Sequence, residues 1–136
     1  MSTRPVLILV EDSPLDAEIM QRVLSRAKVA HPVKLLRDGD EAWSYLSALT
    51  SLEGVALLLL DLNLPRRNGL EVLADLSLHP LLQQLPVVLF VSSELDQERA
   101  EKLGHPRLRC AYKPLPFSDL TSLLDQLHVA PLERIA

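Results

Sequence analysis

The sequence predicts an α/β fold: five parallel strands in a doubly wound sheet, with helices covering both faces. Three observations lead there. Short apolar runs recur along the chain and are continuous rather than alternating, as in strands buried on both sides. Longer stretches between them carry apolar residues at helical spacing, giving the order βαβαβαβαβα, whose right-handed crossovers place helices over a parallel sheet. Finally, 136 residues with 48% hydrophobic content suit one domain with a substantial core and leave no room for a second.

The elements follow in order. Pro5-Val6-Leu7-Ile8-Leu9-Val10 reads as the first strand. Ser13-Pro14-Leu15-Asp16 reads as a helix start: an N-cap, a proline at the first helical position and an acid three residues after the cap. Leu15, Ile19 and Val23, with Met20 and Leu24 alongside, then form its expected inner face. The run 33–37 is a weaker, more polar strand, suited to a sheet edge, and 38–49 is a helix with Ala42, Tyr45, Leu46 and Leu49 on one stripe. Leucine favours helices, so 55–60 is ambiguous by propensity, but its short span between Gly54 and Asp61 makes it a strand. Leu70, Leu73, Ala74 and Leu76 mark a third helix after Gly69, and 86–91 is the fourth strand. A short, charged helix over 95–103 and a polar strand over 108–112 follow. The last helix points Leu120, Leu123, Leu124 and Leu127 inward, with Ser118 as its N-cap. The domain is expected over 5–128, with a frayed tail over 129–136 and no attached output domain.

Composition removes several function classes. Eighteen acids against fourteen bases give a net charge of −4, and aromatics are only 4%. Nucleic acid needs clustered positive charge or stacking surfaces, so it is not an expected ligand. No apolar stretch approaches the ~20 residues that span a bilayer, and no signal peptide opens the chain, so no membrane association is expected. The lone Cys110 has no disulfide partner within the chain, which suits a cytoplasmic setting. His31, His79, His105 and His128 lack metal-ligand spacing, and no glycine-rich phosphate loop is present.

In an open α/β sheet the ligand site lies beyond the carboxyl ends of the strands, where strand order switches. The residues ending the predicted strands are therefore the informative ones: Glu11-Asp12, Asp61, Ser92-Ser93 and Lys113-Pro114. Singly, each has an ordinary reading as a turn residue, a helix cap or a solvated lysine. Together they bring three carboxylates, a hydroxyl and an ammonium to one edge. Clustered carboxylates repel unless a cation joins them, and a hard ion such as Mg2+ takes oxygen ligands. With a lysine and a hydroxyl for phosphoryl oxygens, the set fits phosphoryl chemistry on an aspartate.

Those residues resemble the response-regulator receiver domains (CheY-like). Asp61-Leu62-Asn63-Leu64-Pro65 with Gly69 is similar to the family's phosphoacceptor loop, Glu11-Asp12 to its acidic pair, and Lys113-Pro114 to its lysine-proline dipeptide. The segments 61–68 and 86–93 and the His79-Pro80 insertion resemble small stand-alone regulators paired with phytochrome-type histidine kinases. The resemblance implies a flavodoxin-like (βα)5 fold and a single-domain response regulator that takes a phosphoryl group from a sensor histidine kinase onto Asp61. It further implies Mg2+ on Asp12, Asp61 and the Asn63 backbone carbonyl, with Glu11 acting through water. Lys113 would pair with the phosphoryl group and Ser92 would hydrogen-bond it. The protein would promote only its own phosphorylation and dephosphorylation, signalling to a downstream protein or passing the group to a phosphotransfer partner. A homodimer through the fourth helix, fifth strand and fifth helix is a further implication.

Two departures stand out. The family's spacing puts Val91 at the hydroxyl position, so Ser92 is expected to arrive through a one-residue shift or bulge, with Ser93 as the fallback. The family's switch aromatic would sit at Cys110, while Tyr112 directly precedes Lys113. Arg66-Arg67 reads first as a solvated pair and second as an attractant for an acidic kinase patch. Two other readings compete: a metal-dependent phosphohydrolase with an aspartate nucleophile, against which Asn63 stands where a second acid is wanted, and an interaction module that is never phosphorylated.

Overall fold

The computed structural model describes residues 4–135. Strands β1 (Val6–Val10), β2 (Val33–Leu36), β3 (Val55–Asp61), β4 (Val87–Phe90) and β5 (Leu108–Ala111) form one parallel sheet in the order β2-β1-β3-β4-β5. Helices α1 (Pro14–Arg26), α2 (Gly39–Ser47), α3 (Gly69–Ser77), α4 (Glu94–Lys102) and α5 (Phe117–Gln126) supply the crossovers. Because the chain runs from β1 to β2 on one side and then to β3 on the other, β1 and β3 are neighbours whose carboxyl ends open a crevice.

The continuous apolar runs are explained by two cores, one on each side of the sheet. Ile8, Val10, Leu58, Leu60 and Leu89 meet α2 and α3 through Ala42, Leu46, Val72, Leu73 and Leu76. Leu7, Leu9, Leu57, Leu59, Val88 and Phe90 meet α1 and α5 through Ala17, Met20, Leu24, Leu120 and Leu124. Successive strand residues face opposite cores, so both parities must be apolar.

The start of α1 is as expected, with the Ser13 side chain accepting from the Asp16 N–H. Its inner face is as expected for Met20, Val23 and Leu24 but not for the two other positions. Leu15 and Ile19 remain 65% and 41% exposed, and the buried residues are Ala17, Met20 and Leu24. At 100° per residue, the apolar positions cover an arc of about 200°, so periodicity left the inward direction open and packing against the sheet selected one edge. Helix α5 starts one residue before Ser118: Pro116 occupies the cap position with φ −65° and ψ 154°, and no side chain caps the helix. Proline belongs at a helix entrance, where its missing N–H costs nothing, and so displaces serine from that role.

Over the described residues, up to 135, the tail is docked rather than frayed. Leu132 is buried in the α1–α5 core, and Arg134 forms an antiparallel bridge with Val29. The Ala30 N–H donates to the Glu133 carbonyl at 2.8 Å, and the Ile135 N–H to that of Lys28 at 2.6 Å. His31 is the pivot: its Nδ1 donates to the Pro5 carbonyl at 2.8 Å, and its Nε2 accepts from the Glu133 N–H at 3.0 Å. Truncation by Leu132→Ala is therefore expected to lower global stability by about 2–4 kcal/mol, read from the midpoint of urea unfolding. A loss below about 0.5 kcal/mol, the size of an ordinary surface substitution, would mean that the tail is no part of the core.

Candidate functional site

The crevice gathers the strand-end residues. Glu11 follows β1, held by its N–H to the Leu36 carbonyl at 2.9 Å, and is almost fully buried. Asp61 closes β3 in register with Phe90 and is also buried, whereas Asp12 is exposed. Each of the three offers a carboxylate oxygen, and these oxygens lie within 4.8 Å of one another. Lys113 arrives from the end of β5, and its peptide bond to Pro114 is cis. Its Nζ is 2.5 Å from Glu11 Oε1, 3.0 Å from Asp16 Oδ2 and 3.4 Å from Asp61 Oδ1. These groups, with Asn63, Ser92 and Tyr112, line a cleft of about 480 Å³.

Asp16 was legible only as a first-turn acid of α1. The signal that places it in the cleft is topological: a helix that follows a strand begins at the same edge where the strand ends, so first-turn side chains reach the site.

The electrostatics follow from this crowding. Burial pushes the Glu11 carboxyl above its ordinary pKa, and the charge of Asp61 adds to that, while the Lys113 hydrogen bond pulls the other way. For Lys113, burial favours the neutral form, but its hydrogen bonds to Glu11 and Asp16 and the charge of Asp61 prevail, so its pKa is raised. The stabilisation supplied by Lys113 is thus complete below the ordinary lysine pKa and disappears as pH climbs through the raised value. Glu11 holds its proton more tightly folded than unfolded, so its contribution falls as pH rises from its ordinary carboxylate range through the raised value.

The loop after Asp61 is fixed by close packing. A Cβ on Gly69 would stand 2.4 Å from the Asp61 carbonyl oxygen, and one on Gly39 only 1.6 Å from that of Arg67. Glycine at 69 therefore lets α3 begin directly against the backbone of Asp61. Leu62 and Leu64 are buried anchors. Arg66 takes the left-handed conformation at φ 67° and lies 3.6 Å from Asp38. Arg67 is no freely solvated partner of Arg66: it pairs with Asp75 and Asp40 and covers the Trp43 ring at 5.8 Å.

No bulge delivers Ser92. The β4 ladder is regular against both β3 and β5, and Val91 continues it, donating its N–H to the Ala111 carbonyl at 2.9 Å with its side chain buried in the α2–α3 core. Ser92 nevertheless lines the cleft, because it is the next residue of Phe90's parity and so shares the side of Asp61. Ser93 caps α4, accepting from the Asp96 N–H at 3.1 Å. Cys110 is half-buried against the α2–α3 core, and Tyr112 is 47% exposed on the rim.

A doubly wound parallel sheet with an acidic, lysine-bridged cleft at its switch point defines a CheY-like domain. The family described as the response regulator receiver domain matches residues 7–125, and the chain belongs to that family of two-component signalling proteins. Among curated relatives it is 38% identical over 96 residues to response regulator Rcp1 of Synechocystis sp.; the match covers 68% of this chain and 65% of that relative. Among solved structures, the bacteriophytochrome response regulator AtBRR superposes with a TM-score of 0.82 at 32% identity, covering 99% of this chain and 100% of that one. The Mn(2+)-bound form of Rcp1 gives a TM-score of 0.69 at 29% identity, covering 97% and 99%. Among the described residues no helix is long and apolar enough to cross a membrane.

Burial, reinforced by the charge of Glu101, raises the Cys110 thiol from 9.0 to about 11. Two pH units lower the thiolate fraction about a hundredfold, so alkylation by iodoacetamide near pH 8 is expected to run about 100-fold slower in the folded protein than in urea. Equal rates, followed by mass spectrometry, would contradict the burial of this thiol.

Proposed function

We propose that Asp61 accepts a phosphoryl group from the phosphohistidine of a sensor histidine kinase, and that the resulting aspartyl phosphate switches protein contacts. The observation that carries the reading is the ammonium of Lys113, 3.4 Å from Asp61 Oδ1 within a cluster of carboxylates at the sheet's switch point. Three carboxylates with oxygens this close suit a hard divalent cation, and the reading assigns Mg2+ to Asp12, Asp61 and the Asn63 backbone carbonyl, with Glu11 acting through water. When bound, that ion supplies charge neutralisation for the phosphoryl oxygens. The chain's own residues do the rest. An Asp61 carboxylate oxygen bonds to phosphorus as the phosphorus–nitrogen bond of the kinase histidine breaks, the imidazole keeping the electron pair. Lys113 exchanges part of its carboxylate contact for the incoming phosphoryl oxygens, and the Ser92 hydroxyl donates to another. Positioning and charge suffice, so the domain promotes its own phosphorylation and dephosphorylation and needs no other substrate.

The similarity to bacteriophytochrome response regulators supports a phytochrome-type kinase as the donor. Output would pass to a docking protein or a phosphotransfer partner, and the net charge of −4 argues against nucleic acid. Leu95, exposed on α4, and Leu103, exposed at its C-cap, support a homodimer through α4, β5 and α5. The unpaired Cys110 agrees with a cytoplasmic site of action.

With radiolabelled phosphodonor and Mg2+, wild-type protein is expected to label stoichiometrically and Asp61→Asn to lose at least 99% of that label. Persistent stoichiometric labelling of the variant would remove Asp61 from its role, and steady turnover of p-nitrophenyl phosphate by the wild type would favour a phosphohydrolase. Mg2+ at ten times its dissociation constant is expected to stabilise the fold by about 1.4 kcal/mol, raising Tm by about 3–6 °C. The same titration of Asp12→Asn, followed by calorimetry, is expected to leave Tm unchanged.

A further inference from the structure

We propose that the Asn63 side chain is a positioning residue that aims the Ser92 hydroxyl at the phosphoryl group on Asp61, replacing what Val91 cannot supply. The inference rests on the phosphoacceptor reading above. Asp61 pairs with Phe90 across β3 and β4. Carrying that register two residues past the ladder sets Asn63 opposite Ser92, and there the Asn63 Nδ2 donates to Ser92 Oγ at 3.1 Å. This bond extends the sheet with side chains where the backbone ladder has ended. It ties the loop after β3 to the loop after β4, directly beside the cleft that both residues line with Asp61.

Direction is what makes the contact useful. A hydroxyl has one proton and two lone pairs. Because Asn63 donates, it occupies a lone pair of Ser92 and leaves the hydroxyl proton free to be given to an acceptor in the cleft. An anionic phosphoryl oxygen on Asp61 is such an acceptor, and a hydroxyl already accepting a hydrogen bond is polarised into a better donor. No proton changes owner: in labelling by acetyl phosphate, an Asp61 oxygen bonds to phosphorus, acetate leaves with the electron pair, and Ser92 only hydrogen-bonds the transferring group. The neighbouring positions cannot substitute. Val91 borders the cleft but has no polar side-chain atom and packs into the core, and Ser93 is engaged in capping α4.

The test is a double-mutant cycle on the rate of labelling by acetyl phosphate with Mg2+, in wild type, Ser92→Ala, Asn63→Ala and the double variant. Neither substitution alters the Asn63 backbone carbonyl, both side chains are at the surface, and cooperative urea unfolding checks each fold. Ser92→Ala is expected to slow labelling about tenfold, Asn63→Ala about threefold to tenfold, and the double variant no more than Ser92→Ala alone. Asn63→Asp, of equal size, reverses the bond by accepting the hydroxyl proton, and is expected to slow labelling at least as much as Ser92→Ala. If the two alanine effects multiply, or if Asn63→Asp labels at the wild-type rate, Asn63 does not act through Ser92, while Asp61 remains the acceptor. Absence of any wild-type labelling would remove the acceptor and the positioning role together.

Discussion

The ammonium of Lys113 stands between Glu11, Asp16 and Asp61 at 2.5, 3.0 and 3.4 Å, and the carboxyl edge of the sheet is assembled around that charge balance. Without it, carboxylates from β1, α1 and β3 would repel one another across a partly buried cleft. With it, the β1–α1 connection, the end of β3 and the segment after β5 are tied at one point, the lysine lying 102 residues from Glu11. The balance is incomplete, since Asp12 adds a further carboxylate within 4.8 Å of Glu11 and Asp61. The surplus negative charge suits the cleft to a cation.

The frame around the cleft is closely packed. Strands β1 and β3 are buried on both faces, and their register places Asp61 beside Phe90 with the Leu62 N–H bonded to the Phe90 carbonyl at 3.1 Å. Gly69 admits α3 against the backbone of Asp61, and Gly39 admits α2 against Arg67, so the loop after β3 is held from two sides by contacts that no larger residue permits. Arg67, clamped by Asp40 and Asp75 over Trp43, contributes to that support rather than to an open basic patch.

Much of this was legible because its causes are local. Continuous apolar runs, the Ser13-Pro14 helix start and the acids, serines and lysine ending the strands are properties of short segments, and the sheet's topology brings such ends together without further information. What escaped the sequence involved choices among locally equivalent arrangements. The apolar arc of α1 could present Leu15 or Ala17, and packing on the sheet chose Ala17. Ser118 and Pro116 compete for one cap, and proline's missing N–H decided. Asp16 satisfies a helix start wherever it points, so only the placement of Lys113 revealed its second role.

The fold class and the strand-end residues that meet at one edge were legible in the sequence, because strand period, helix period and capping are written in neighbouring residues. Only packing revealed the docking of the tail through Leu132 and His31, the fourth carboxylate of the cleft and the contact between Asn63 and Ser92. Each of these depends on residues far apart in the chain: Glu133 on His31, Lys113 on Asp16, Ser92 on Asn63. Hydrogen-bond reach is about 3 Å, and no pattern along a sequence specifies which distant atoms will come within it until the cores have packed.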